Sequence, residues 1–159
     1  MAHNYEIQVT HVEAKPLAVV KEVAYSGNIG PKIRAALPVV FAKLKQLGQS
    51  ELGQPVVVYF PNQGERWDVA PGIPIEVGVQ LAAALPAESA PLTPSLTPAC
   101  RVATTVHAGP YQGLPHAHMA IHAWCRENGH TMAGRNWEIY DEHHEDPSKL
   151  RTQVCYELK

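Results

Sequence analysis

The sequence predicts an α+β fold in which two strand–helix–strand–strand halves form one antiparallel sheet, with helices on one side and a groove between the halves. Three observations predict it. Short β-branched runs and two amphipathic helical stretches follow one another in the order strand, helix, strand, strand, twice over. Similar segments recur in the same order in both halves, as an internal duplication requires. A proline-rich stretch, Ala83 to Ala99, with prolines at 86, 91, 94 and 98, lies between them and reads as a linker. The chain of 159 residues therefore divides into a first repeat over about 4–82, a linker at 83–99 and a second repeat over about 100–159, all within one domain.

In the first half, residues 4–12 add a leading strand and Leu17 to Ala24 form a β-branched strand. A helix follows, with Pro31 suited to its first turn and Ile33, Leu37, Phe41 and Leu44 at helical spacing. Pro38 inside that pattern predicts a kink or the helix's true start, and Gly48 a stop. Val56 to Phe60 and Ile73 to Leu81 then read as a strand pair.

In the second half, Arg101 to His107 form a strand. A helix spans about Gln112 to Glu127, with Leu114, Ala117, Ile121, Trp124 and Cys125 on one face, and Gly129 ends it. Strands follow at about Trp137 to Glu142 and Leu150 to Leu158. The duplication matches Gly48 to Gly129, Tyr59 to Tyr140 and Glu76 to Gln153. Each half alone would expose a sheet edge and an apolar face, and pairing the halves buries both.

Composition narrows the function. Thirteen basic against fifteen acidic residues lack the basic footprint of a nucleic-acid binder, so no direct nucleic-acid contact is expected. No apolar run reaches the ~20 residues of a membrane span, and no secretory leader is legible. Cys100, Cys125 and Cys155 are odd in number and widely spaced, which fits packing roles in a reducing cytoplasm. No phosphate-binding glycine loop, nucleophile elbow or zinc-protease motif occurs, and no helix-turn-helix precedes the first strands. No cofactor is expected. His118 and His122 stand at i, i+4 on one helix, a spacing that can chelate an ion, but nothing local completes a ligand set, so no metal site is assigned. Asp141 to Asp146 read as a solvated loop before Pro147.

Trp137-Glu138-Ile139-Tyr140 is the most informative segment. Side chains alternate along a strand, so Trp137 and Ile139 are assigned to the helix side and Glu138 and Tyr140 to the other, where the groove is expected. A carboxylate buried there would need a partner, which a cationic ligand could supply with help from aromatic rings. The plain alternative is an exposed strand face with Glu138 in water. Tyr59, Trp67 and Tyr111 are further candidates for the groove, or else ordinary packing residues; Trp124 and Trp137 are assigned to the helix-side core.

His107-Ala108-Gly109-Pro110-Tyr111, the helix ending at Gly129, Trp137-Glu138-Ile139-Tyr140 and the closing run Leu150 to Tyr156 resemble the GyrI-like effector-binding domain family. That family consists of duplicated strand–helix–strand–strand domains, found alone or behind the DNA-binding domains of AraC-type and MerR-type regulators. The resemblance implies a groove for hydrophobic, often cationic, small molecules. It makes Glu138 the ligand-facing acid and Tyr140 the aromatic that follows it. Where the family usually carries a second acid in the closing strand, this chain has Gln153, and Glu76 could contribute a carboxylate from the first half. A stand-alone binding domain is the leading expectation. The alternative is a hydrolase that opens cyclopropane rings of DNA-alkylating natural products, with Glu138 acting on water and Tyr140 or Tyr111 polarising the leaving group. A gyrase or regulator protein partner is a third implication of the family.

Overall fold

The computed structural model describes residues 5–61, 72–86, 89–141 and 144–159. In chain order it has β1 (Gln8–Val12), β2 (Lys15–Ala24), α1 (Ile29–Gln46), β3 (Leu52–Tyr59) and β4 (Ile73–Leu81). There follow β5 (Thr93–Thr97), β6 (Cys100–Ala108), α2 (Leu114–Glu127), β7 (Met132–Tyr140) and β8 (Arg151–Leu158). All eight strands form one antiparallel sheet in the order β1-β6-β8-β7-β3-β4-β2-β5. The two halves meet at β7 and β3, where Val57 faces Glu138 and Tyr59 faces Asn136.

The segment read as a linker supplies a strand. β5 pairs with β2, and β1 pairs with β6, so each half's leading strand sits on the edge of the other half. An edge position tolerates Pro94, which has no N–H to donate. Buried Leu85 and Leu92 pin the same segment against the cluster that contains Val40 and Leu44 of α1.

This exchange forces the sheet to curl. β1 and β2 are six strand spacings apart in the sheet order, about 29 Å if it were flat. Only Glu13 and Ala14 separate them in sequence, and Val12 to Lys15 can span at most about 11 Å. The register shows how the sheet closes. Val12 faces Cys100 and Lys15 faces Thr97, so one antiparallel register runs through the corner from β1–β6 into β2–β5. The inner face encloses Leu17, Val19, Val56, Val58, Val102, Trp137 and Cys155, a cluster to which neither helix contributes.

Both helices lie on the other face. α1 buries Ala36, Val40 and Leu44, and α2 buries Leu114, Ala117, Ile121 and Cys125. α1 runs through Pro38, so that proline does not mark the helix start. Phe41, expected on the apolar face, is exposed; it falls one step round the helix from the Ala36–Val40–Leu44 stripe. Both helices end as the duplication predicts. Gly48 and Gly129 hold φ of +74° and +75°, and the next amide of each reaches back, Gln49 N to Leu44 O and His130 N to Cys125 O, both at 2.9 Å.

Candidate functional site

Which face a residue occupies decides the site. Trp137 is buried, but on the inner face, opposite Val58 and Cys155. This reverses the expected assignment: Glu138 and Tyr140 point to the helix-bearing side. Alternation along β7 fixed the pairing of these side chains, and the curl of the sheet chose which pair went inside. Trp124 is half-buried on α2, stacked on His130 with ring centroids 5.2 Å apart.

α1 packs on β2 and β4, and α2 packs on β6 and β8. The two central strands, β7 and β3, therefore lie between the helices, and they carry Glu138, Tyr140 and Tyr59 on that face. Tyr59 and Tyr140 both donate to Glu138 Oε1 at 2.6 Å. His118 Nε2 lies 2.7 Å from Glu138 Oε2, and His118 Nδ1 lies 2.7 Å from the Tyr156 hydroxyl. Tyr111 stands at the rim, 40% exposed, its ring perpendicular to Tyr140 at 5.8 Å. His122, one turn on from His118, has its ring 4.9 Å from Tyr156.

Glu138 is only 4% exposed. Burial pushes its carboxyl pKa up, but the His118 hydrogen bond and charge, with the two phenols, outweigh burial and hold it below its ordinary value. The phenols respond in the opposite sense. Burial, followed by the Glu138 charge, raises Tyr59 and Tyr140 well above the usual tyrosine range, and raises Tyr156 as well. The cluster thus pairs an ionised acid with protonated phenols across the neutral pH range.

The other expected site residues are elsewhere. Glu76 faces Val58, and Gln153 faces Ile139, so both belong to the inner face. Neither can share a ligand with Glu138 through the sheet. Gln153 donates from Nε2 to Thr104 Oγ1 at 3.2 Å, so its amide does not set the charge beside Glu138. Glu76 accepts a hydrogen bond from Ser95 and borders a cavity of about 560 Å³, with Leu17, Phe60, Leu96 and Arg135 among its walls. Arg135 is already held by Glu157 through two contacts, at 3.2 and 3.0 Å. Trp67 lies outside the described residues. Among the described residues no three His, Cys, Asp or Glu side chains gather as a metal site, and His118 is engaged by Glu138 and Tyr156.

His118 and Tyr156 are the members of the cluster that sequence reasoning missed. The signal for Tyr156 was its alternation with Val154 and Leu158. The signal for His118 was the need of a buried carboxylate for donors, with one helix passing over the strand that carries it.

The sequence profile of the GyrI-like small molecule binding domain matches residues 5–159. The chain belongs to this family. As a GyrI-like domain it shares its fold with solved structures of low sequence identity. The EcmrR C-terminal domain superposes with a TM-score of 0.79 at 13% identity, covering 99% of each chain. SAV2435, solved bound to tetraphenylphosphonium, gives 0.64 at 13% identity over 97% of this chain and 94% of its own. A hydrolase from Listeria innocua gives 0.64 at 8% identity over 97% and 92%. No curated protein sequence matches the chain. Among the described residues of this GyrI-like domain, no helix is long and apolar enough to cross a membrane.

Proposed function

We propose that this GyrI-like domain binds apolar, cationic aromatic molecules between α1 and α2, with Glu138 as the charge partner and Tyr59, Tyr140 and Tyr111 as the surrounding rings. The observation that carries this reading is a buried carboxylate at the junction of the two halves, held by two phenols and an imidazole. Such a group attracts a cation, and the ring faces add cation–π attraction. The family is one of small-molecule binders, and a neighbour of the same fold was solved with a lipophilic cation. Free Cys100, Cys125 and Cys155 fit action in a reducing compartment such as the cytoplasm.

The hydrolase reading draws on the same residues, and another neighbour of this fold is a hydrolase. The direction of the Glu138 pKa supports binding over that reading. A general base that deprotonates water works best with its pKa raised toward neutrality, whereas Glu138 is held low. Among the described residues no surface feature singles out gyrase or a regulator as a protein partner.

Calorimetric titration with tetraphenylphosphonium and with a neutral aromatic of similar size tests the proposal. Glu138→Gln is expected to weaken the cation at least tenfold and to leave the neutral compound within about twofold. Equal loss for both compounds, or none for the cation, would refute the role of Glu138.

A further inference from the structure

The charge at Glu138 is not free for a ligand to take, because His118 already occupies one of its oxygens. This has a consequence that rests on the proposed cation binding. His118 Nε2 and Glu138 Oε2 are 2.7 Å apart, and the imidazole's other nitrogen, Nδ1, lies 2.7 Å from a hydroxyl, that of Tyr156. A hydroxyl can donate or accept. With a neutral imidazole, Nε2–H donates to Glu138 and the Tyr156 O–H donates to Nδ1. With an imidazolium, Nδ1–H donates to the Tyr156 oxygen and Nε2–H still donates to Glu138. Both protonation states are therefore fully hydrogen-bonded with the heavy atoms in place. They differ in charge: the Glu138–His118 pair carries −1 in the first and 0 in the second.

We infer that His118 is the specificity-determining residue of this site, and that a cationic ligand binds Glu138 with release of the His118 proton, while the protonated site favours neutral ligands. The groups that face His118 leave this pair in control of the local charge. From β7 comes Glu138, to which Tyr140 also donates, from β3 Tyr59, whose ring stands perpendicular to the imidazole at 6.5 Å, and from β8 Tyr156. On α2 itself, His122 lies one turn on, with Arg126 beyond it. The three phenols stay protonated far above neutral pH, so near neutrality they add no charge. Burial, then the charges of His118 and Arg126, lower the pKa of His122, which favours the neutral form of that ring.

The test is titration calorimetry with tetraphenylphosphonium from pH 5.5 to pH 8, in buffers of different ionisation enthalpy, on the full chain. Proton linkage at one imidazole predicts affinity that rises with pH by up to about tenfold per unit at the acidic end of this range and levels toward its alkaline end. It also predicts a buffer-dependent heat corresponding to release of up to one proton on the acidic side. His118→Gln, whose amide can still donate to Glu138, should bind with little pH dependence and no proton release. Nitrogen chemical shifts of the His118 ring should change from imidazolium to neutral imidazole on adding the cation at pH 5.5. Affinity that is flat with pH and released heat that ignores the buffer, in a protein where Glu138→Gln still weakens cation binding at least tenfold, would overturn the role of His118 alone. A wild type that ignores tetraphenylphosphonium at both pH limits would overturn the cation reading itself and this inference with it.

Discussion

Glu138 and Glu76 are both buried carboxylates on inner strands of one sheet, one in each half, and they are held in opposite ways. Glu138, between the helices, accepts from two phenols and an imidazole. Glu76, inside the curl, accepts from Ser95 and lies in the field of an arginine that Glu157 already holds. The first is built into a network on which its ionisation depends; the second borders open volume. The difference shows that burial alone does not mark a charged site. The number and kind of donors around each acid set the two apart.

Removing donors should expose that contrast most strongly. His118→Ala leaves a buried carboxylate oxygen without its ring partner and should cost about 3 kcal/mol of unfolding free energy. Ser95→Ala, at the more open Glu76, should cost about 1 kcal/mol or less. Urea unfolding of the two variants measures the gap, and equal losses would erase the distinction drawn between the two acids.

Acid titration gives a smaller and directional effect. The folded pKa of Glu138 lies below its ordinary value of 4.5, so in that window the unfolded chain binds the proton first. The stability Glu138 contributes is complete above the unfolded pKa and is lost as pH falls through the lower folded value. Urea midpoints followed below pH 5 should fall less steeply in Glu138→Gln than in the wild type. Parallel curves for the two proteins would contradict the ionised assignment of Glu138.

The smallest effect is expected beside the cluster, at Thr152. Its hydroxyl is the buried side-chain oxygen that finds no hydrogen-bond partner among the described residues, and its strand neighbours are His107 and Tyr140. Thr152→Val removes an unsatisfied polar atom at nearly constant shape and should leave stability unchanged or raise it by up to about 1 kcal/mol. Thermal unfolding checks this, and a loss above about 1 kcal/mol would mean that the hydroxyl has a partner in solution.

Much of the fold was legible because it rests on local rules. The helices ended at Gly48 and Gly129 because a residue with positive φ costs glycine little. The strand over Ile73–Leu81 followed from its β-branched run, and the equivalence of Tyr59 with Tyr140 placed both phenols on one carboxylate. The hidden strand β5 was not legible. Pro94 argues against a central strand, and an edge partner from the other half lies more than seventy residues away in the chain.

The sequence by itself determined the order of the elements, the two-fold plan and the alternation that groups Glu138 with Tyr140 and Trp137 with Ile139. Only the tertiary structure decided which of those groups went inside. Alternation has a period of two and is blind to the side on which a helix will pack. That choice came from the exchanged leading strands, whose short corners curl the sheet and enclose one face. On the face left to the helices, α2 and β8 of the same half bring His118 and Tyr156 to the carboxylate that needed donors.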